Sequence, residues 1–583
     1  MSQRDTAPRA RTDIRCRAAP AEFADALPPE LHPVLRRVLA ARQVTPSQLR
    51  PGLAQLLPVG ELPGVATAAE RLVAARTRGE RVLIIGDFDA DGATATALAM
   101  KCLRAFGFDD PGFLVPDRFT LGYGLSPGIA DLAAARRPGL LLTVDNGITS
   151  FEGVRRAREL GMDVLITDHH LAGTDLPATD LIVNPNLPGS SFGSPALCGV
   201  GVAFYLMAAT GRRLAERGVL SAEVAREAVT ACLDLVALGT VADLVPLDFN
   251  NRILVAEGLR RIRAGRTRPG IEALFRVAGR TPAVARSSDL CYAIAPRLNA
   301  AGRLTDMTLG IECLLAADDG TARGHAAQLD ALNTERRALQ DRMQSEAQVL
   351  LADLSEAAVT SGGACCLFDE RWHPGIVGLV ASRMREITGE PAIAFARATE
   401  PGMLRGSARS VEGVHVRDLI ANAVARIPNL TIRYGGHAMA AGMTLPESDL
   451  AAFQRALAIE LERVRDPLSG AGIVWTDGGL SPDQLQLDVA DVLAAAGPWG
   501  QAFPEPLFDD LFTVREQRVV GEKHLKLRVQ HRDGGPLIEA IAFRQEPLAA
   551  ARNVPLRLVY RLDVNHYRDT RTAQLVVEHL ECV

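Results

Sequence analysis

Three short apolar runs in the first third of the chain each end in acid. Val82-Leu83-Ile84-Ile85-Gly86 leads into Asp87-Phe88-Asp89-Ala90-Asp91-Gly92. Leu140-Leu141-Leu142-Thr143-Val144 leads into Asp145-Asn146-Gly147, and Val164-Leu165-Ile166-Thr167 into Asp168-His169-His170. Continuous apolar runs of this length, separated by helical segments, are the pattern of buried parallel strands. In an open α/β sheet the ligand site lies beyond the carboxyl ends of such strands. The acids and imidazoles therefore gather at one edge of one sheet. That is more negative charge than can be buried without a cation, so the pattern predicts a metal site with more than one ion.

The 583 residues imply several domains, and the net charge of −5 means that any nucleic-acid contact must come from local basic surfaces. Nine cysteines are scattered, with no C-x-x-C and only Cys365-Cys366 adjacent, which argues against a disulfide framework and against zinc. The expectation is a reduced, cytoplasmic protein. Residues 1–19 carry arginines without an apolar segment and read as a frayed tail rather than a secretory signal. No apolar run approaches the roughly 18 residues of a membrane span.

The fold class expected is a multidomain α/β protein. Residues 1–70 form an N-terminal extension, and 71–265 alternate strand and helix around a parallel sheet, with helices at Ala93–Phe106 and Phe151–Leu160. Residues 266–355 are helical, and Ala326–Leu354, free of Pro and Gly, reads as one long connecting helix. A second α/β domain spans 356–466. Residues 467–583 alternate with period two, as in Leu525-Lys526-Leu527-Arg528-Val529-Gln530, and predict an OB-like β-barrel with Lys526 and Arg528 on its outer face.

Asp87, Asp89 and Asp91 alternate on an extended segment and so point the same way. Such carboxylates raise each other's pKa unless a divalent cation intervenes. The plain alternative is a solvent-facing turn at Asp91-Gly92. Asp145 and the Asp168-His169-His170 triplet weigh against it, and oxygen with imidazole suits Mn²⁺ or Mg²⁺. Asp243 ends the segment Gly239-Thr240-Val241-Ala242-Asp243, where a Gly-Thr break would fold it back as a ligand. Asp234, in mid-helix, is the weaker candidate. Further on, Trp372-His373-Pro374-Gly375, Gly406-Ser407-Ala408-Arg409-Ser410 and Gly435-Gly436-His437 form glycine-rich loops that let a backbone approach a ligand. Ser407 and Arg409 are placed to grip phosphate oxygens.

These motifs, in this order, resemble those of the DHH phosphoesterase superfamily, and within it the bacterial single-stranded-DNA exonucleases, over nearly the whole chain. The resemblance implies two Mn²⁺ or Mg²⁺ ions held by the first-motif aspartates, Asp145, Asp168, His169 and Asp243, with Asp89 and Asp91 the favoured pair of the first motif. It implies a DHHA1-type second domain carrying the loops around Ser407, Arg409 and His437. Arg118, Arg297 and Arg303 would line the DNA path, the last two on a loop at Pro296–Arg303. Trp372, Tyr123 and Trp499 are candidates to stack on bases, with core packing the expected fate of at least one of them. Asp145, His169 and His170 are the catalytic candidates, one histidine serving the leaving oxygen. The implied activity is 5′→3′ degradation of single-stranded DNA to mononucleotides, in recombination and repair. The implied state is a cytoplasmic monomer, with a helicase and a single-strand-binding protein as candidate partners and no membrane. A small-substrate phosphodiesterase and a non-catalytic DNA-binding scaffold are the alternatives.

Overall fold

The computed structural model describes residues 13–582 except 117–123, 174, 354–364, 412–413, 428–431, 437–438, 465–472, 522–523, 549–554 and 568–569. Arg118, Tyr123 and His437 fall outside the described residues. Strand β1 (Asp13–Cys16) pairs in parallel with residues 473–476, so this part of the N-terminus is stitched to the C-terminal region rather than frayed. Arg42 reinforces the seam with two hydrogen bonds to the buried Asp477 carboxylate, at 2.7 and 3.0 Å.

The catalytic-domain candidate is a five-stranded sheet of order β3-β2-β4-β5-β6, parallel throughout. Its strands are β2 (Val82–Ile85), β3 (Gly112–Leu114), β4 (Leu140–Val144), β5 (Asp163–Thr167) and β6 (Ile182–Val183). Val82, Ile84, Leu140, Leu142 and Val144 pack into one core cluster; Leu83, Ile85 and Leu141 pack into another. Successive side chains point to opposite faces, and both faces are covered by helices, so these strands read as unbroken apolar runs. Helices Ala90–Ala105 and Phe151–Glu159 follow the first two acid motifs.

Two elements differ from expectation. Helix Leu233–Ala242 runs unbroken through Gly239 and Thr240 and is capped by Asp243. A Cβ on Gly239 would stand 2.3 Å from Thr94 Oγ1 and 2.7 Å from Asp91 Oδ1. The glycine is there for close approach to the helix after the first motif, not for a break. The stretch expected as a loop at 296–303 is the helix Ala295–Leu304, which continues directly from the π-helical turn Leu290–Ile294.

Helix Asp319–Asp353, 35 residues and about 50 Å long, starts earlier than expected and leads to the second sheet. That sheet has the order β10-β11-β9-β8-β7. It comprises β7 (Cys365–Phe368), β8 (Ala392–Arg397), β9 (Met403–Arg409), β10 (Arg433–Gly436) and β11 (Ala440–Pro446). After β12 (Ile473–Thr476), five strands close into a barrel of order β13-β14-β15-β17-β16, as an OB-type fold requires. They are β13 (Phe508–Val520), β14 (His524–His531), β15 (Gly534–Phe543), β16 (Pro555–Tyr567) and β17 (Thr570–Cys582). Among the described residues no helix is long and apolar enough to cross a membrane.

Candidate metal centre

The carboxyl ends of β2, β4 and β5 bring their acids together as the parallel topology demands. Past β2 the chain enters a helix at once, so the three first-motif aspartates do different things. Asp89 is the N-cap: its Oδ1 accepts the N–H groups of Asp91 and Gly92 at 2.9 and 3.0 Å. Asp91 lies in the first turn, buried, and its oxygens accept the N–H groups of Gly199 (2.7 Å) and Val200 (2.9 Å). These open the helix Gly199–Glu216, whose N-terminal dipole favours a carboxylate. Asp87 is buried beside them.

Asp145 follows β4 with φ +63°, a left-handed backbone that is uncommon outside glycine and clusters at functional sites. The Asn146 side chain fixes this turn by donating to Ile85 O (3.1 Å) and Val144 O (2.9 Å). A Cβ on Gly199 would lie 2.5 Å from Asp145 Cβ, so only glycine lets that helix close over the acid. His169 Nε2 stands 3.1 Å from Asp145 Oδ1 and 3.6 Å from Asp243 Oδ2.

Three overlapping sets of ligand atoms result, each within 4.8 Å: Asp145, His169 and His170; Asp91, His169 and Asp243; and Asp87, Asp89 and Asp145. Asp145 and His169 each belong to two sets, so the sets are not independent and the two residues would stand at the centre of whatever ions they hold. All three first-motif aspartates take part. Asp168, expected as a ligand, stands outside these sets. Its Oδ1 accepts the N–H groups of His169 (2.7 Å) and His170 (3.1 Å) and meets His170 Nδ1 at 2.7 Å; its Oδ2 accepts Ile148 N–H at 2.9 Å. It positions the histidine pair.

Burial, then the charges of Asp91 and Asp89, push the Asp145 and Asp243 carboxyls well above the usual range. Burial and Asp89 push Asp91 up to about 7. Burial alone would lower His170, but the hydrogen bond and charge of Asp168 raise it to about 9. Oxygen and imidazole donors that repel one another in this way fit hard or borderline divalent cations.

A stability prediction follows from the signs. The folded apoprotein binds a proton at Asp91 that the unfolded chain has released, so stability falls as pH rises from about 4 to about 7, and the raised Asp145 and Asp243 carboxyls act in the same direction. His170 acts in the same direction up to about 9. Thermal melts in chelator should give a lower Tm at pH 8 than at pH 5, and added Mn²⁺ should raise Tm more at pH 8.

Beside Asp89 lies a 220 Å³ cavity lined by Arg303, Arg405, Ser407 and Arg409. On β9, Arg405, Ser407 and Arg409 alternate with buried Leu404, Gly406 and Ala408, so they share the face turned to the cavity. Arg409 Nη1 donates to Ser407 Oγ (3.0 Å) and Ala408 O (2.8 Å); Arg303 Nη1 donates to Gly375 O (3.2 Å). Burial, with Arg409 close by, pushes Arg303 down to about 10. Half-buried guanidiniums crowded together make an anion site. Arg405 was missed in the sequence, although its i, i+2, i+4 spacing with Ser407 and Arg409 on a strand was available.

The other expected contacts are placed elsewhere. Arg297 is buried, bound to Asp330 Oδ1 (2.8 Å) and Ala293 O (2.6 Å), and ties its helix to the long one. On the barrel, Lys526 pairs with Glu539 at 2.7 Å and Arg528 with Glu516 at 3.2 Å, so both charges are already partnered. Trp372 is core, bonded to Glu346, and Trp499 stacks on Phe503 at 5.0 Å. Asp234 is a structural anchor held by Arg268 (2.6 and 3.0 Å) and Thr267 (2.8 Å). Asp234→Asn leaves the buried guanidinium without its counter-charge, an expected loss of about 3–5 kcal/mol in denaturant titration with ion binding per folded molecule retained.

Family models match three stretches of the chain: the N-terminal domain of the DHH family over residues 81–240, the DHHA1 domain over 357–462 and the RecJ OB domain over 476–579. The chain is similar to the single-stranded-DNA-specific exonuclease RecJ of Salmonella typhimurium: 46% identical over 560 residues, covering 95% of this chain and 96% of that one. It is similar to the crystal structure of RecJ from Thermus thermophilus in complex with Mn²⁺, with a TM-score of 0.79 and 30% identity over 98% of this chain and 79% of that one. The Mg²⁺ complex from the same organism gives 0.74 and 28% over 97% and 78%.

Proposed function

The chain belongs to the RecJ family of DHH-domain exonucleases, and we propose that it is a metal-dependent exonuclease that degrades single-stranded DNA from the 5′ end to mononucleotides. The observation that carries this reading is the overlap of ligand sets at Asp145 and His169 beside an arginine-lined pocket. Asp87, Asp89, Asp91, Asp145, His169 and Asp243 would hold two divalent ions, Mn²⁺ or Mg²⁺. Such ions supply the Lewis acidity that polarises a scissile phosphate and lowers the pKa of an attacking water.

The remaining steps belong to the chain's own residues. Arg303, Ser407 and Arg409 bind the terminal phosphate and place the next phosphodiester at the acids. A 5′ phosphate gripped there sets the polarity. His170 shares a ligand set with Asp145 and His169 but, engaged at Nδ1 by Asp168, is assigned to holding a proton toward the leaving oxygen rather than to an ion. The barrel receives strand further out. A role in recombination and repair, as a cytoplasmic monomer supplied with strand by a helicase and a single-strand-binding protein, completes the reading.

Digestion of oligonucleotides labelled at either end tests it. Early release of the 5′ label as a mononucleotide with Mn²⁺ or Mg²⁺, none in chelator, and little attack on blunt duplex are expected. Activity confined to dinucleotides would instead mark a short-oligonucleotide enzyme.

A further inference from the structure

Leu244 and Tyr292 are 58% and 74% exposed, and the fold gives neither a structural reason to be apolar. Leu244 directly follows Asp243, the cap of helix Leu233–Ala242, and has φ +59°. A left-handed residue at that position is the usual place for glycine, which would make the turn without strain and without exposing hydrocarbon. Tyr292 lies on the π-helical turn Leu290–Ile294, a form most often found at functional sites. The two side chains line one cavity of 270 Å³, together with Arg263, Arg286, Ser288 and Gln501. That volume is near the lower end of small-ligand sites, about 300–1,000 Å³. Arg263 is held on the wall by Ala285 O (2.7 Å) and Arg286 by Asp563 (2.6 Å).

We propose that this cavity is a nucleobase site, in which Leu244 and Tyr292 flank a base of the bound strand within a few nucleotides of the scissile phosphate. The assignment rests on the single-stranded-DNA reading above. Leu244 directly follows Asp243 of the metal cluster, its Cα about 3.8 Å from the Asp243 Cα, so a strand with a phosphate at the cluster has its neighbouring nucleotides within reach. An aromatic face and a branched aliphatic side chain accept any base, which suits an enzyme that must read every sequence. Arg263, held by a neutral carbonyl, offers positive charge to an adjoining phosphate, whereas the Arg286 charge is taken up by Asp563. A strained, exposed leucine beside the acids is then maintained for contact with strand.

Two experiments decide it. In the Asp145→Asn protein, 12-mers carrying one 5-iodouracil at successive positions are irradiated; crosslinking to Tyr292 from one or two positions near the 5′ end is expected. In the otherwise unaltered enzyme, Tyr292→Ala and Leu244→Gly are each expected to lower the ratio of kcat/KM for a 12-mer over that for a dinucleotide about tenfold. Tyr292→Trp should restore the ratio, and Leu244→Gly should leave Tm unchanged or raised, because glycine relieves the left-handed strain. Absence of the crosslink with an unchanged ratio, while the wild-type protein still digests the 12-mer, overturns the nucleobase site. A lowered Tm with an unchanged ratio also overturns it, in favour of a packing role. Failure of the wild-type protein to bind or digest 12-mers overturns the exonuclease reading itself.

Discussion

Asp145→Asn is expected to reduce cleavage of single-stranded DNA by about a thousandfold or more while making the metal-free protein more stable. The activity loss follows from position: Asp145 belongs to two of the three ligand sets, so one substitution weakens both. The stability gain follows from electrostatics. Burial and the neighbouring Asp91 and Asp89 hold the Asp145 carboxyl well above its ordinary pKa, which means that the fold pays for that charge at neutral pH. An amide of the same shape removes the charge. Asparagine is also the right choice for the backbone, because it tolerates the φ of +63° better than alanine. The measurement is a pair of melts, in chelator and in Mn²⁺. The wild-type protein should gain about 2.7 kcal/mol at an ion concentration a hundredfold above Kd, and the variant should start from a higher Tm in chelator and gain little. Full activity, or an undiminished Mn²⁺ shift, would remove Asp145 from the ligand set.

Much of this arrangement is legible in the sequence, and the boundary of what is legible has physical causes. β2, β4 and β5 could be read because a strand buried on both faces has no polar alternation to disguise it. The fate of the acids just beyond them could not be read in the same way. Alternation places Asp87, Asp89 and Asp91 on one side only while the chain stays extended, and the pleat ends at Ile85. From there Asp89 becomes a helix cap and Asp91 a partner for a second helix N-terminus more than a hundred residues away. Asp168 is similar: nothing local says that its oxygens will be taken by three N–H groups and a histidine ring.

Helix Ala295–Leu304 was disguised by residues that serve its neighbours. Asn299 Oδ1 accepts the Ala90 N–H at 2.7 Å, and a Cβ on Gly302 would stand 1.8 Å from Phe88 O. Both are fitted to the first acid loop, so the local signal for a loop is in fact a signal for packing. On the barrel, the outward direction of Lys526 and Arg528 was readable from period two. Their glutamate partners, on β13 and β15, become visible only once strand register is known.

Arg409→Ala is expected to lower kcat/KM about 10- to 100-fold on oligonucleotides with a 5′ phosphate, and far less on those with a 5′ hydroxyl. A charge-assisted bond to a phosphate is worth about 1.5–3 kcal/mol, and only the phosphorylated end can make it. The fold should tolerate the change well. Arg303 is pushed down to about 10 by burial and by the Arg409 charge, so removing one guanidinium relieves the other. Arg409→Lys should fall between the two, because an ammonium keeps the charge but loses the planar fork, as well as the Nη1 bonds that orient Ser407. The paired comparison of end groups matters more than the absolute loss. A variant that merely disturbs β9 would slow both substrates equally, and that outcome would separate the pocket from recognition of the strand's end. Collapse of the preference with Tm preserved would tie polarity to chemistry: the strand enters by the end whose charge the half-buried arginines need.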